Sequence, residues 1–235
     1  MPGEPGNPSN IRLITLEENI LGENEQFAAQ NRNLLQSMGF YTLNLMSSPG
    51  SGKTTLLVET LNALRGSMRC AVIEGDQQTS HDADRVAQAG VPVVQLNTRR
   101  TCHLDAALVQ QALAALPLDE IDLLFIENVG NLICPAEYDL GEAEKVVLMS
   151  VTEGEDKPAK YPLMFHLAGV LLLTKIDLLP YLRFDLERCK SYFRGVNPGA
   201  RMIETSAFTR QGLEQWLEYL SASRTAWKAH RTEPD

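Results

Sequence analysis

Several things this chain lacks narrow its class before any motif is considered. It has no surplus of positive charge: 21 lysines and arginines stand against 30 aspartates and glutamates, a net charge of −9. Proteins whose main partner is a nucleic-acid backbone carry a basic footprint, so that class is excluded. No apolar run approaches the roughly 18 residues that span a bilayer, which excludes a membrane helix. The N-terminal stretch MPGEPGNPSN has no basic segment followed by an apolar one, so it does not read as a secretory signal. Cysteine is scarce. Cys70, Cys102, Cys134 and Cys189 are too few in 235 residues to form a disulfide framework, so reduced thiols and a cytoplasmic location are expected.

The 44% of hydrophobic residues is enough for a sizeable core, and the 22% of charged residues is ordinary for a globular domain. Residues 1–13 open rich in proline, glycine and asparagine and are expected to be disordered. From 14 to 38, Leu16, Ile20, Leu21, Phe27, Leu34 and Leu35 recur at helical spacing, with Gly22 as a possible break. From 39 to 223 the rhythm changes. YTLNLM, RCAVIEG, VPVVQLN, IDLLFIEN, KVVLMSV, GVLLLTK and RMIETS read as strands. Helical patterns fall between them, at 53–64, 81–89, 103–115, 184–193 and 211–223. Near-continuous Val/Ile/Leu runs alternating with amphipathic helices predict an α/β fold, a mainly parallel sheet of about seven strands covered on both faces. The polar stretch 224–235 is expected to fray. In such sheets ligands bind at the carboxyl ends of the strands, which is where the motifs fall.

The first motif is LMSSPGSGKTTLL, residues 45–57, between a predicted strand and a predicted helix. That context identifies a phosphate-binding loop and with it the P-loop NTPase fold. Pro49, Gly50, Ser51 and Gly52 turn backbone N–H groups inward. Lys53 supplies charge to the outer phosphates, the Thr54 hydroxyl can ligate Mg²⁺, and Thr55 follows on the helix. Ser47 stands where the pattern has its first glycine. Serine there gives up backbone freedom but adds only a small side chain, so phosphate binding is expected to survive.

Two further motifs choose the base. TKID, residues 174–177, follows a late strand, and Asp177 can accept hydrogen bonds from both donors on the guanine edge. Adenine lacks that donor pair, so GTP is expected over ATP. The Lys175 stem can lie along the base. Thr174 replaces a commoner asparagine and is expected to weaken a tie to the phosphate loop. Ser206 and Ala207, in TSA after the next strand, suit a backbone contact to the base. Asp76 and Glu127 each end a strand at the same edge and are candidates for holding Mg²⁺ or positioning water, with Gly130 three residues past Glu127. No glutamine stands out to orient an attacking water, so intrinsic hydrolysis is expected to be slow.

Cys102 and His103 are adjacent after one predicted strand, and Cys134 follows another. Thiolate and imidazole suit Zn²⁺ and Ni²⁺. On spacing alone two packed thiols and a helix-capping histidine explain these residues better than a metal does. Cys70 and Cys189 read as packing thiols.

Five segments together carry a resemblance: IEGDQQTSHDADR, QLNTRRTCHLDA, FIENVGNLICPAEYDLGE, SVTEGEDKPAKYP and TKIDLLPYLRFDLERC. They resemble the HypB family, nickel-incorporation GTPases of nickel–iron hydrogenase maturation, over residues 14–222. UreG, the urease counterpart, is a relative with a Cys-Pro-His metal motif. The resemblance implies a GTP-controlled homodimer with a metal site at the subunit interface, its ligands Cys102, His103 and Cys134, and so raises the metal reading above the packing one. It implies a HypA-type metallochaperone and a hydrogenase large-subunit precursor as partners. Three departures stand out: Ser47 in the loop, Arg99-Arg100-Thr101 where the family pattern has Gly-Lys-Gly, and an N-terminus with no cysteine before Cys70 and no histidine before His81. The last implies no N-terminal nickel-binding or nickel-storage motif. A nucleotide-gated scaffold with little turnover, or a GTPase chaperone serving another metalloenzyme such as urease, are the alternatives.

Overall fold

The computed structural model describes residues 16–76, 81–98 and 101–232. The expectations for 1–13 and for Arg99 and Arg100 lie outside them. So do the side chains of 16–20, His81 and 230–232.

Among the described residues seven strands alternate with helices. In chain order they are α1 (Leu16–Met38), β1 (Tyr41–Ser47), α2 (Lys53–Leu64), β2 (Cys70–Asp76), α3 (His81–Ala87), β3 (Val93–Asn97), α4 (Ala106–Leu113), β4 (Leu123–Glu127) and α5 (Cys134–Glu137), followed by β5 (Glu144–Ser150), α6 (Lys157–Lys160), α7 (Pro162–His166), β6 (Val170–Thr174), α8 (Leu186–Val196), β7 (Arg201–Glu204) and α9 (Leu213–Thr232). The sheet order is β3-β2-β4-β1-β5-β6-β7, and every neighbouring pair is parallel. All strand carboxyl ends therefore emerge at one edge. The seven strands read from the sequence are the seven observed.

The central strands are apolar on both faces because both faces are covered. Alternate residues point opposite ways, so Tyr41, Leu43 and Leu45 of β1 pack with Leu56, Leu57 and Leu61 of α2 and Leu213, Trp216 and Leu220 of α9. On the other face Ile73, Leu124 and Ile126 pack with Leu35 of α1 and Val109 and Leu113 of α4. Val147, Leu171 and Leu173 meet Phe165 of α7 and Phe193 of α8 on that same side.

α1 runs unbroken through Gly22 and is part of this covering. Asn31 of α1 donates to the carbonyls of Ala106 (2.8 Å) and Leu140 (3.1 Å), and Asn24 accepts from the Ala106 N–H at 2.8 Å. The Asn24 bond satisfies the first N–H of α4, and the three together tie the N-terminal helix to α4 and the Leu140 loop.

At the C-terminus the expected fraying at 224 is not what the helix does: α9 continues to Thr232. Arg224 pairs with Asp122 at 3.0 Å, and Trp227 meets the Tyr41 ring at a centroid distance of 5.9 Å. A polar helix end is held by these two contacts where its own composition gives little reason for order.

Candidate functional site

The phosphate loop lies where the topology puts it, between β1 and α2. Gly50 (φ 75°) and Gly52 (φ 93°) take left-handed backbone that residues with a Cβ avoid. Among the described non-glycine residues only Lys175 (φ 59°) and Arg210 (φ 62°) have a positive φ, so Ser47 occupies a conformation open to any residue. It is the last residue of β1, paired with Leu148, and its buried hydroxyl donates to the Ser48 carbonyl at 2.8 Å. Serine in place of glycine costs the loop no strain.

A cleft of about 470 Å³ opens over the loop, and Pro49, Gly50, Ser51, Gly52, Lys53, Thr54 and Thr55 line it. Asp76, Glu127, Gly130 and Lys175 line it too. The residues expected to meet phosphate and Mg²⁺ thus converge. Glu127 is the hub: its Oε1 accepts from the Thr54 hydroxyl at 2.6 Å and lies 3.2 Å from Lys53 Nζ. Gly130 lets the two loops approach closely, since a Cβ there would stand a tight 3.0 Å from the Pro49 backbone.

One functional candidate escaped the sequence reading. Glu74 of β2 sits beside Glu127 of β4 in register, and both side chains are almost fully buried. Glu74 Oε2 and Glu127 Oε2 have no hydrogen-bond partner. Burial, with the Glu127 carboxylate next to it, holds the Glu74 carboxyl well above the usual range and therefore protonated, against the opposing pull of Lys53. The available signal was an acid inside the otherwise apolar run CAVIEG. The Thr54 hydroxyl and the carboxylates of Asp76 and Glu127, all lining this cleft, are hard oxygen donors that fit a divalent cation such as Mg²⁺.

A second pocket of about 240 Å³ adjoins the loop, lined by Lys175, Asp177, Leu178, Ala207 and Phe208 among others. The Ser206 hydroxyl donates to Asp177 Oδ1 at 2.5 Å and so orients the carboxylate. The sequence had assigned Ser206 only a backbone contact. The tie expected to be weak at Thr174 is instead made: its hydroxyl donates to the Ser51 carbonyl at 2.6 Å, and Lys175 Nζ donates to the Gly50 carbonyl at 2.6 Å.

Cys102, His103 and Cys134 come together beside the cleft, their ligand atoms all within 4.8 Å of one another. Cys102 Sγ donates to Cys134 Sγ at 2.8 Å, which together with partial burial pushes the Cys134 thiol up. Burial pushes His103 down, leaving a neutral imidazole with a lone pair to offer. The His103 ring stacks on Tyr138 at 3.9 Å, and Asn131 Nδ2 donates to Cys134 Sγ at 3.5 Å. Cys70 and Cys189 are buried in the core, and all four cysteines are free.

The two sites share a strand. Asn128 follows Glu127, and its fully buried Oδ1 accepts from the Leu104 N–H (3.1 Å) in the metal loop and from the Val129 N–H (2.9 Å). Its Nδ2 donates to Asn44 Oδ1 at 3.2 Å. Sequence reading missed Asn128 and had no pattern by which to find it.

Residues 41–204 match the family model described as the CobW/HypB/UreG nucleotide-binding domain. Hydrogenase maturation factor HypB of Azotobacter vinelandii is 54% identical over 216 residues, covering 92% of this chain and 71% of that protein. The HypB of Escherichia coli K12 is 53% identical over 218 residues, covering 93% and 75%. Among solved structures, HypB from Helicobacter pylori in complex with nickel superposes with a TM-score of 0.83 at 38% identity, covering 87% of this chain and 96% of that one.

Proposed function

The chain belongs to the hydrogenase maturation factor HypB group of the CobW/HypB/UreG family, and on that premise we propose that it is a GTP-hydrolysing metallochaperone that transfers nickel during hydrogenase assembly. The observation that carries this reading is the Cys102–His103–Cys134 cluster set beside a phosphate cleft. The nickel-bound Helicobacter pylori HypB supports the choice of cargo.

Lys53 and the backbone N–H groups of residues 50–54 bind the phosphates, and Asp177, held by Ser206, reads the guanine edge. Thr54 and Asp76 hold Mg²⁺, which when bound supplies charge neutralisation for the transferred phosphoryl group. Glu127 contacts both Lys53 and Thr54. Phosphate recruits both, so Glu127 must change partners. Glu127 and Cys134 are only seven positions apart, so a shift at the first is felt at the second. Nucleotide state in this way alters the geometry of the thiol pair and of His103, and with it the hold on nickel. Three protein ligands leave a coordination position open for handover. A homodimer, a HypA-type metallochaperone as donor or acceptor, and a hydrogenase large-subunit precursor as client complete the proposal.

The test is a Ni²⁺ and Zn²⁺ titration with a non-hydrolysable GTP analogue and with GDP, beside Cys134→Ala. Nickel affinity is expected to differ between nucleotides and to fall at least tenfold in the variant. Equal, Cys134-independent binding in all samples would overturn the delivery reading. The Glu127 clasp on Lys53 and Thr54 favours a second reading, a nucleotide-gated scaffold with little turnover. A phosphate-release assay decides, since a scaffold binds GTP without releasing phosphate.

A further inference from the structure

Phe208 is 90% exposed, the most exposed large apolar side chain among the described residues. A ring left in water forgoes its burial, although singly exposed apolar residues are ordinary. What sets this one apart is the stiffness of its support and its place. The turn that carries it is pinned at both ends and in its middle. The Thr205 N–H donates to the Leu173 carbonyl at 2.7 Å, and the Ser206 N–H to the Gln211 carbonyl at 2.9 Å. The Thr209 N–H donates to the Ser206 hydroxyl at 3.1 Å, and Arg210 Nε to Glu59 of α2 at 2.9 Å. Gly212 (φ 72°) is packed so tightly that a Cβ there would lie 1.9 Å from the Glu204 carbonyl oxygen.

The ring is thus presented on a stiff turn, and it forms part of the wall of the pocket that holds Asp177. Asp177 can recognise only the edge of a planar ligand. The Lys175 stem can cover one face; the other needs an apolar surface, and Ala207 and Leu178 supply little flat area.

We propose that Phe208 stacks on the guanine base and is a base-positioning residue of the nucleotide site. The inference rests on the guanine reading of Asp177. It separates two duties: Asp177 selects the base by its hydrogen-bonding edge, and Phe208 adds affinity through the face without selecting. Base–aromatic stacking is sequence-tolerant because every base has a π-face.

The test is calorimetric titration of the full chain with Mg²⁺·GDP and, as a probe of the phosphate loop alone, with Mg²⁺·pyrophosphate. Phe208→Ala is expected to weaken GDP on the order of tenfold and to leave pyrophosphate unchanged. Phe208→Trp should keep GDP affinity and show a fluorescence quench on adding GDP, absent with pyrophosphate and absent in the wild-type protein. Wild-type GDP affinity in Phe208→Ala would overturn the proposal, and so would loss of GDP and pyrophosphate together, which would mark a structural role. A wild-type chain that binds pyrophosphate but not GDP would sink the guanine reading, and this inference with it.

Discussion

Glu74 shows how much a single side chain in the sheet can decide. Its carboxyl keeps a proton in the fold that the unfolded chain gives up above its ordinary value of 4.5. Where the native state binds more protons than the unfolded one, stability falls as pH rises. The contribution is therefore fully present below pH 4.5 and is lost as pH climbs toward the raised native value. Glu74→Gln, which keeps shape and removes the titration, is expected to melt higher than the wild type at pH 8 without nucleotide. The gap should close near pH 4.5, as followed by thermal unfolding across that range. A constant gap at all pH values would mean that Glu74 is ionised in the native state. The same residue marks a limit of sequence reading. Lys53, Thr54 and Asp177 announce themselves through neighbours along the chain. The Glu74–Glu127 pair and the Asn128–Leu104 bond depend on strand register between segments far apart, which no local pattern encodes.

At the scale of elements, strands were the most legible because Val/Ile/Leu runs of five to seven residues have few other outlets. The short helices were not. α5, α6 and α7 are four or five residues long, each with a proline in its first turn. A proline there is compatible with a helix start, but so brief a segment shows no periodicity. Turns built on a single backbone requirement are sharper targets. Gly212→Ala would place a methyl group against the Glu204 carbonyl in a left-handed conformation. A loss of about 2 kcal/mol or more is expected, given the cost of strain plus a backbone clash. Because Ser206 shares that turn and orients Asp177, GDP affinity should fall as well. Chemical denaturation and GDP titration check the two effects, and a variant as stable as the wild type would show that the turn can rearrange.

Over the whole molecule, α9 acts as a strap across the sheet. It starts at β7, where Trp216 Nε1 donates to Thr60 of α2 at 3.0 Å, and runs to the opposite end of the strands. There Arg224 and Arg69 both pair with Asp122, holding that carboxyl down to about 2. Tyr219 and Tyr41 both donate to Glu144 along the way. Sequence reading stopped this helix near 223 because SASRTAWKAHRT offers one large apolar side chain, and the contacts it finds are all tertiary. Trp227→Ala is expected to cost about 1–2 kcal/mol, less than a fully buried tryptophan because this one is half-buried. Thermal melting checks the loss, and nucleotide and nickel binding should be unchanged, since both sites lie at the other edge of the sheet.

The short span from Glu127 to Cys134 has a thermodynamic corollary. Linkage between two ligands is reciprocal: under the proposed coupling, whatever factor separates the nickel affinities of the GTP and GDP forms, nickel imposes the same factor on the preference between GTP and GDP. A typical coupling of about 1–3 kcal/mol would shift that preference roughly 5- to 150-fold. The metal then ceases to be passive freight. A chain with an empty thiol pair and one with a filled pair would settle into different nucleotide occupancies at the same GTP concentration, and the bound nucleotide would become a gauge of nickel supply.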